Sequence, residues 1–245
     1  NTIYDPVNNR VLSPPNRDWN TRRGGYGLYC WDGYFAALLA AVDNKELAYA
    51  NAVEITREKT ENGFVPNVSF ATGRKSRDRS QPPVGSMVIK KLYEKFQDQW
   101  LIELLLDDLL IWNQWWFDYR REGDLLCWGS NPFEPVVGDA LEYEQPGTRR
   151  GAALESGLDN SPMYDDPGYD TSTGLMKMHD VGLNSLYVMD CECLAYLCKQ
   201  VGRAEKAQSL QDRAQKIRTA MQGLWNPDKK LFMNYKTDTG QFSPV

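Results

Sequence analysis

Apolar positions along the chain fall into helical periods separated by polar, proline-rich and glycine-rich stretches. From Trp31 onward, Phe35, Leu38, Leu39 and Val42 recur at helical spacing, Asp43 and Asn44 break the run, and Leu47 to Thr60 resumes it as a second helix. Helices are predicted again at about Gly85 to Phe96 and Asp98 to Arg121. The latter carries Trp100, Leu104, Leu105, Trp112, Trp115 and Trp116 around nearly its whole circumference, the pattern of a buried helix. Two amphipathic helices follow: Val181 to Val201, with Leu183, Leu186, Tyr187, Leu194 and Leu197 inward, and Ala204 to Leu224. In the second, Ala207, Leu210, Ala214, Ile217, Met221 and Leu224 alternate spacings of three and four, and Gly202 is the stop between the pair.

The remaining segments lack such a period. Residues 1–30 read as an extended lead-in, Asn62 to Pro83 as a polar loop, 122–179 as a long irregular stretch, and Leu231 to Tyr235 as a short extended piece. No strand run supports an α/β sheet. The fold class is all-α: an array of helical hairpins with a face built from loops. The pattern fits a closed α/α toroid and an open solenoid equally, and no internal repeat favours the second.

Composition narrows the ligand. The chain has 245 residues, 42% hydrophobic and 25% charged, enough for one large core. A net charge of -5 gives no footprint for nucleic acid, and no stretch reaches the roughly 18 apolar residues of a membrane span. A neutral or small ligand is expected. Eight Trp and thirteen Tyr suit stacking on sugar rings as well as core packing. Cys30, Cys127, Cys191, Cys193 and Cys198 show no disulfide-framework or zinc spacing and read as buried thiols, which favours a reducing, cytoplasmic compartment. The single histidine, His179, leaves little room for a triad or a histidine metal site, and no metal or organic cofactor is expected. The acidic run Tyr164 to Asp170 lacks the ligand spacing of a calcium loop and reads as a solvated turn. The sequence begins at Asn1 with no signal-peptide pattern, so targeting is not legible in it.

Candidate chemistry centres on Glu155-Ser156-Gly157-Leu158-Asp159-Asn160-Ser161-Pro162. Gly157 permits backbone closed to other residues, Pro162 fixes φ, and Asn160 and Ser161 bond locally, so the carboxyl of Asp159 is held still. An acid that protonates a leaving oxygen near neutral pH needs that rigidity together with partial desolvation. The same residues are also ordinary turn and cap vocabulary. In the polar loop, Pro82 and Pro83 stiffen Arg79-Ser80-Gln81, so Arg79 and Gln81 are expected to be held in place.

Three stretches together resemble glycoside hydrolase family 63 and, more distantly, the trehalases. They are Gly24-Gly25-Tyr26-Gly27-Leu28-Tyr29-Cys30-Trp31-Asp32-Gly33-Tyr34-Phe35, Arg79-Ser80-Gln81-Pro82-Pro83, and Glu155 to Pro162. The resemblance implies an (α/α)6 barrel that hydrolyses α-glucosidic or related α-glycosidic bonds of a small glycoside with inversion, without a cofactor. It implies Asp159 as general acid, with Trp31, Asp32 and Gln81 around the cleaved sugar, Arg79 beside them, backbone near Gly157 approaching the ring, and Asn67 in a looser trehalase-like element. Asn160-Ser161-Pro162 departs from the trehalase pattern and is closer to the short bacterial branch that includes hydrolases of mannosylglycerate and glucosylglycerate. A glycerate aglycone needs a cation, for which Arg74, Lys75 and Arg77 are the nearest in sequence. The family's catalytic base, a glutamate, is expected beyond Val245, making residues 1–245 the N-terminal half of the toroid. On that expectation the fragment alone is inactive and the apolar faces around Leu183 and Leu194 lack some partners. The competing reading is a non-catalytic carbohydrate-binding helical protein.

Overall fold

The computed structural model describes residues 2–15, 25–71, 73–131 and 145–244; Gly24 of the first motif lies outside them. The protein is predominantly helical, as the periodicity predicts. Its helices are α1 (Cys30–Ala40), α2 (Lys45–Arg57), α3 (Gly85–Phe96), α4 (Gln99–Tyr119), α5 (Arg149–Glu155), α6 (Val181–Gln200) and α7 (Ala204–Met221). Among the described residues, sheet is confined to short antiparallel ladders of two or three strands. Ile3–Asp5 pairs with Arg10–Leu12, Gly27–Tyr29 with Val68–Phe70, and Arg121–Glu122 with Leu125–Leu126, while Met178–His179 joins Tyr235–Lys236 and Gln241–Phe242 in three strands.

Local chemistry sets the helix ends. The Asn44 side chain accepts from Leu47 N to cap α2, and Asp180 Oδ1 accepts from Leu183 N at 2.7 Å to cap α6. Gly202, at φ +74°, turns the chain between α6 and α7 in the left-handed conformation that glycine adopts at least cost. α7 buries Ala207, Leu210, Ala214 and Ile217, the stripe its spacing predicts.

Two apolar patterns are used differently from expectation. α1 turns Gly33, Tyr34 and Ala37 inward, while Phe35 and Leu39, with Val42 beyond the helix end, are exposed. Gly33 lets α1 lie close to α2, since a Cβ there would stand 3.1 Å from Ile55 Cγ1, and the core takes up the large Tyr34 beside it. α4 is not buried all round either. Trp112, Trp115 and Trp116 are buried, but Trp100, Leu104 and Ile111 form an exposed side. Leu183 and Leu194, in contrast, are fully enclosed and lack no partners. The segment 122–179 is less irregular than expected, since it contains α5 and short strand pairs.

One core runs from Leu12 to Leu224 through all the long helices. Tyr34 stacks on Trp112 with ring centroids 5.9 Å apart, and its hydroxyl lies 2.9 Å from Thr56 Oγ1. All five cysteines are free and buried. Deep in the core, Asp190 of α6 accepts from Ser86 Oγ and from Asn113 Nδ2, the latter at 2.7 Å, tying α3 and α4 to α6. Burial pushes its carboxyl up from 3.8 to about 7, against the pull of those hydrogen bonds.

This raised value makes a pH prediction. The unfolded carboxyl ionises near 3.8 and the folded one near 7, so the folded protein binds more protons in between. The contribution of Asp190 to stability should fall as pH rises from about 4 to about 7 and then level off, by a few kcal/mol in all. Urea unfolding of wild type and Asp190→Asn at pH 5 and pH 8 checks this. The variant should lose less stability than wild type between the two pH values, and parallel losses would show that Asp190 is ionised in the folded core.

Candidate active site

The three sequence stretches meet through backbone pairing and one buried carboxylate. Tyr29 pairs with Val68 across the antiparallel ladder, and Cys30 N donates to Asn67 O at 3.1 Å. Asn67 N then donates to Arg79 O at 3.1 Å, and Trp31 N to Gln81 Oε1 at 3.2 Å. The Asn67 side chain reaches the third stretch, its Nδ2 donating to Leu154 O at 3.2 Å.

Glu155, at the end of α5, closes the arrangement. Its Oε1 accepts from Ser80 N at 2.9 Å, and its Oε2 accepts from Arg120 Nε at 2.7 Å and Gly129 N at 2.6 Å. Arg120 also donates from Nη2 to Asp78 O at 2.8 Å and lies 4.5 Å from the centre of the Trp115 ring. Both Glu155 and Arg120 are 0% exposed. Burial raises the Glu155 carboxyl while Arg120 and the two amides oppose the shift. A guanidinium and two N–H donors make this a seat for a carboxylate. Beside it, Arg79 pairs with Asp78 at 2.7 Å in a buried site, so Arg79 and Gln81 are held as the prolines imply.

Trp31, Asp32, Asn67, Arg79, Gln81, Gly157 and Asp159, the seven positions to which the resemblance gives a role, line one cavity of about 460 Å³. The arrangement differs from expectation in two respects. Asp159 is exposed at the rim, whereas Asp32, at the first turn of α1, is the half-buried carboxylate of the pair. Burial raises the Asp32 carboxyl, and the nearby charge of Asp159 adds to the rise. Gly157 lines the cavity and also lies against protein: at φ +71° a Cβ there would collide with the Trp31 indole. Its lack of a side chain therefore makes room for the indole. None of Arg74, Lys75 and Arg77 lines the cavity; Lys75 pairs with Glu58 at 3.0 Å and Arg77 with Glu61 at 3.5 Å.

The cation missed in the sequence is Arg150. It lines the cavity, donates to the Asp159 carbonyl, and also borders a second cavity of about 300 Å³ with Thr148, Arg149, Ser161 and Asp165. Asp159 borders both. The available signal was Thr148, which caps α5 by accepting from Gly151 N at 3.1 Å and sets Arg150 on its first turn.

Residues 25–245 match the family described as the mannosylglycerate hydrolase MGH1-like glycoside hydrolase domain. Among solved structures, a GH63 mannosylglycerate hydrolase from Thermus thermophilus in complex with glucose superposes with a TM-score of 0.70 at 19% identity, covering 91% of this chain and 63% of that one. The same enzyme with Tris and D-glycerate gives 0.68 at 18%, covering 93% and 68%, and an uncharacterized conserved protein from the same organism gives 0.69 at 18%, covering 91% and 63%. The chain thus spans about 63% of the length of the first and last of these structures. At such identities the likeness shows a shared fold, that of the GH63 α/α toroid. No curated protein sequence matches.

The Glu155 seat predicts a large stability effect. Glu155→Gln removes the counter-charge from a buried guanidinium and should cost about 3–5 kcal/mol. Chemical denaturation measures it, and a loss under about 1 kcal/mol would show that Arg120 finds another partner.

Proposed function

Because this chain belongs to the mannosylglycerate hydrolase MGH1-like glycoside hydrolase family, we propose that it carries the sugar site and general acid of an inverting α-glycosidase acting on small α-linked glycosides. The observation that carries the reading is the convergence of Trp31, Asp32, Gln81 and Asp159, from three separated stretches, on one concave cavity. In this reading the toroid closes as an (α/α)6 ring. The alternative of carbohydrate binding without chemistry leaves unexplained a carboxyl at the rim, shared by two adjoining cavities.

Roles follow from the geometry. Trp31, its indole backed by Gly157, offers an apolar face to the ring of the cleaved sugar. Asp32 accepts from sugar hydroxyls in a half-buried setting, where a charge-assisted hydrogen bond is strong. Gln81 gives its carbonyl to Trp31 N, which leaves its amide hydrogens for the sugar. Asp159, between the two cavities, delivers a proton to the glycosidic oxygen as the bond breaks, the sugar lying in the larger cavity and the aglycone in the smaller. An acid needs a raised pKa at that moment. Substrate supplies the desolvation that the exposed rim lacks, and the Asp32 carboxylate works in the same direction. Arg150 stands where an aglycone carboxylate, such as that of glycerate, would be matched, in place of the three cations of the polar loop.

Inversion also requires a carboxylate to activate water about 6.5–9.5 Å from the acid, across the scissile bond. Glu155 does not serve, since both its oxygens are taken by Arg120, Ser80 and Gly129. Asp32 is committed to hydroxyls. We therefore assign the base to a carboxylate outside the described residues.

The acid assignment is tested in the complete enzyme. With α-mannosylglycerate or an α-glucoside as substrate, Asp159→Asn should lower kcat by about 10²-fold or more while KM stays within a few-fold. Near-normal turnover of an unactivated glycoside by that variant would remove Asp159 from the mechanism. Trp31→Ala and Asp32→Ala should each weaken sugar binding by about 1 kcal/mol or more in calorimetry. Unchanged affinity in both would move the sugar elsewhere.

A further inference from the structure

Away from the cavity, three potential metal ligands of different chemistry converge from separate parts of the chain. Glu122 ends the strand Arg121–Glu122, Cys127 follows the strand Leu125–Leu126 that pairs with it, and His179 ends Met178–His179. One ligand atom from each lies within 4.8 Å of the others. Among the described residues this is the one such grouping, and it gathers the only histidine of the chain. We propose that Glu122, Cys127 and His179 form a binding site for a zinc-like divalent transition metal, with solvent completing the coordination.

The donor set fits that chemistry. A thiolate, an imidazole and a carboxylate are the common protein ligands of Zn2+, at about 2.3, 2.0 and 2.0–2.2 Å. Tetrahedral coordination at those lengths puts ligand atoms about 3.3–3.8 Å apart, so the cluster has to contract by roughly 1 Å. The tight hairpin that carries two ligands, turning at Gly123, can supply that movement. Supporting contacts orient the ligands, as around established metal sites. Lys177 donates to Glu122 Oε1 at 2.7 Å and Thr237 to Oε2 at 2.7 Å, while His179 Nε2 lies 3.1 Å from the Glu122 carbonyl oxygen. Cys127 Sγ faces Glu122 Oε2 at 3.9 Å. On binding, the thiol releases its proton to solvent and its sulfur pair forms the metal bond.

Such an ion would act structurally. Cys127 N donates to Arg120 O at 2.7 Å, and His179 immediately precedes Asp180, the cap of α6. The metal would therefore clip the hairpin behind Arg120 to the start of α6.

The test needs no glycosidase activity. Chelator-treated protein titrated with Co2+ should take up one equivalent with a near-UV sulfur-to-cobalt charge-transfer band and visible bands of tetrahedral cobalt. Both should vanish in Cys127→Ser, and His179→Gln should weaken cobalt binding at least tenfold. Zn2+ at about a hundred times its Kd should raise the melting temperature of the wild type by about 5–10 °C and that of Cys127→Ser hardly at all. Absence of a charge-transfer band in the wild type, or its survival in Cys127→Ser, overturns the site. Neither result bears on Asp159.

Discussion

The cavity depends on a carboxylate that never reaches it. Glu155 and Arg120 are both removed from water, a cost that their attraction offsets only when the remaining hydrogen-bonding positions are filled. Here they are: Ser80 N and Gly129 N complete the carboxylate, and the Asp78 carbonyl takes an arm of the guanidinium. These partners come from two irregular segments, the polar loop and the stretch after α4. Loops carry their own backbone polar groups and ordinarily satisfy them with water, so loops that meet in the interior need a common acceptor. Glu155 is that acceptor, and because it ends α5 the same contact fixes where Gly157 and Asp159 emerge.

Around this seat the helices divide their surfaces by fit to the neighbouring helix instead of by hydrophobicity alone. α1 presents Gly33, Tyr34 and Ala37 to the core, which brings the helix close to α2 and fixes the position of Trp31 and Asp32 on its first turn. Phe35, Leu39 and Val42 are left outside. On α4, Trp112 joins the two layers by stacking on Tyr34 and donating from Nε1 to Ser80 Oγ at 3.0 Å, so the aromatic core is bonded directly to the loop that bears Gln81. Core packing and site geometry are thereby one network.

Electrostatics in the cavity are asymmetric. Two carboxyls of one neighbourhood, Asp32 and Asp159, differ in exposure, and burial first and the Asp159 charge second raise the Asp32 carboxyl. Arg150, the cation of α5 on the cavity wall, holds the Asp159 backbone. In the reading proposed above, this charge pattern suits a neutral ring between the carboxyls and a polar or anionic group beside Arg150.

The sequence by itself determined the six long helices and singled out seven of the residues that line the cavity. Periods at Ala207 to Ile217 and the caps and stops at Asn44 and Gly202 are local, set by spacing and by backbone preference, and the structure follows them. The cavity residues were legible because their three motifs recur together, each short and contiguous in the chain. Tertiary structure decided what no local pattern encodes: which apolar face of α1 is buried, that α4 keeps Trp100 exposed, that Arg150 and not Lys75 stands at the cavity, and that Cys127, His179 and Glu122 meet. The physical reason is shared. Burial and proximity are properties of pairs of elements, and the face of α1 that bears Gly33 is buried only once the partner surface around Ile55 is present to be approached.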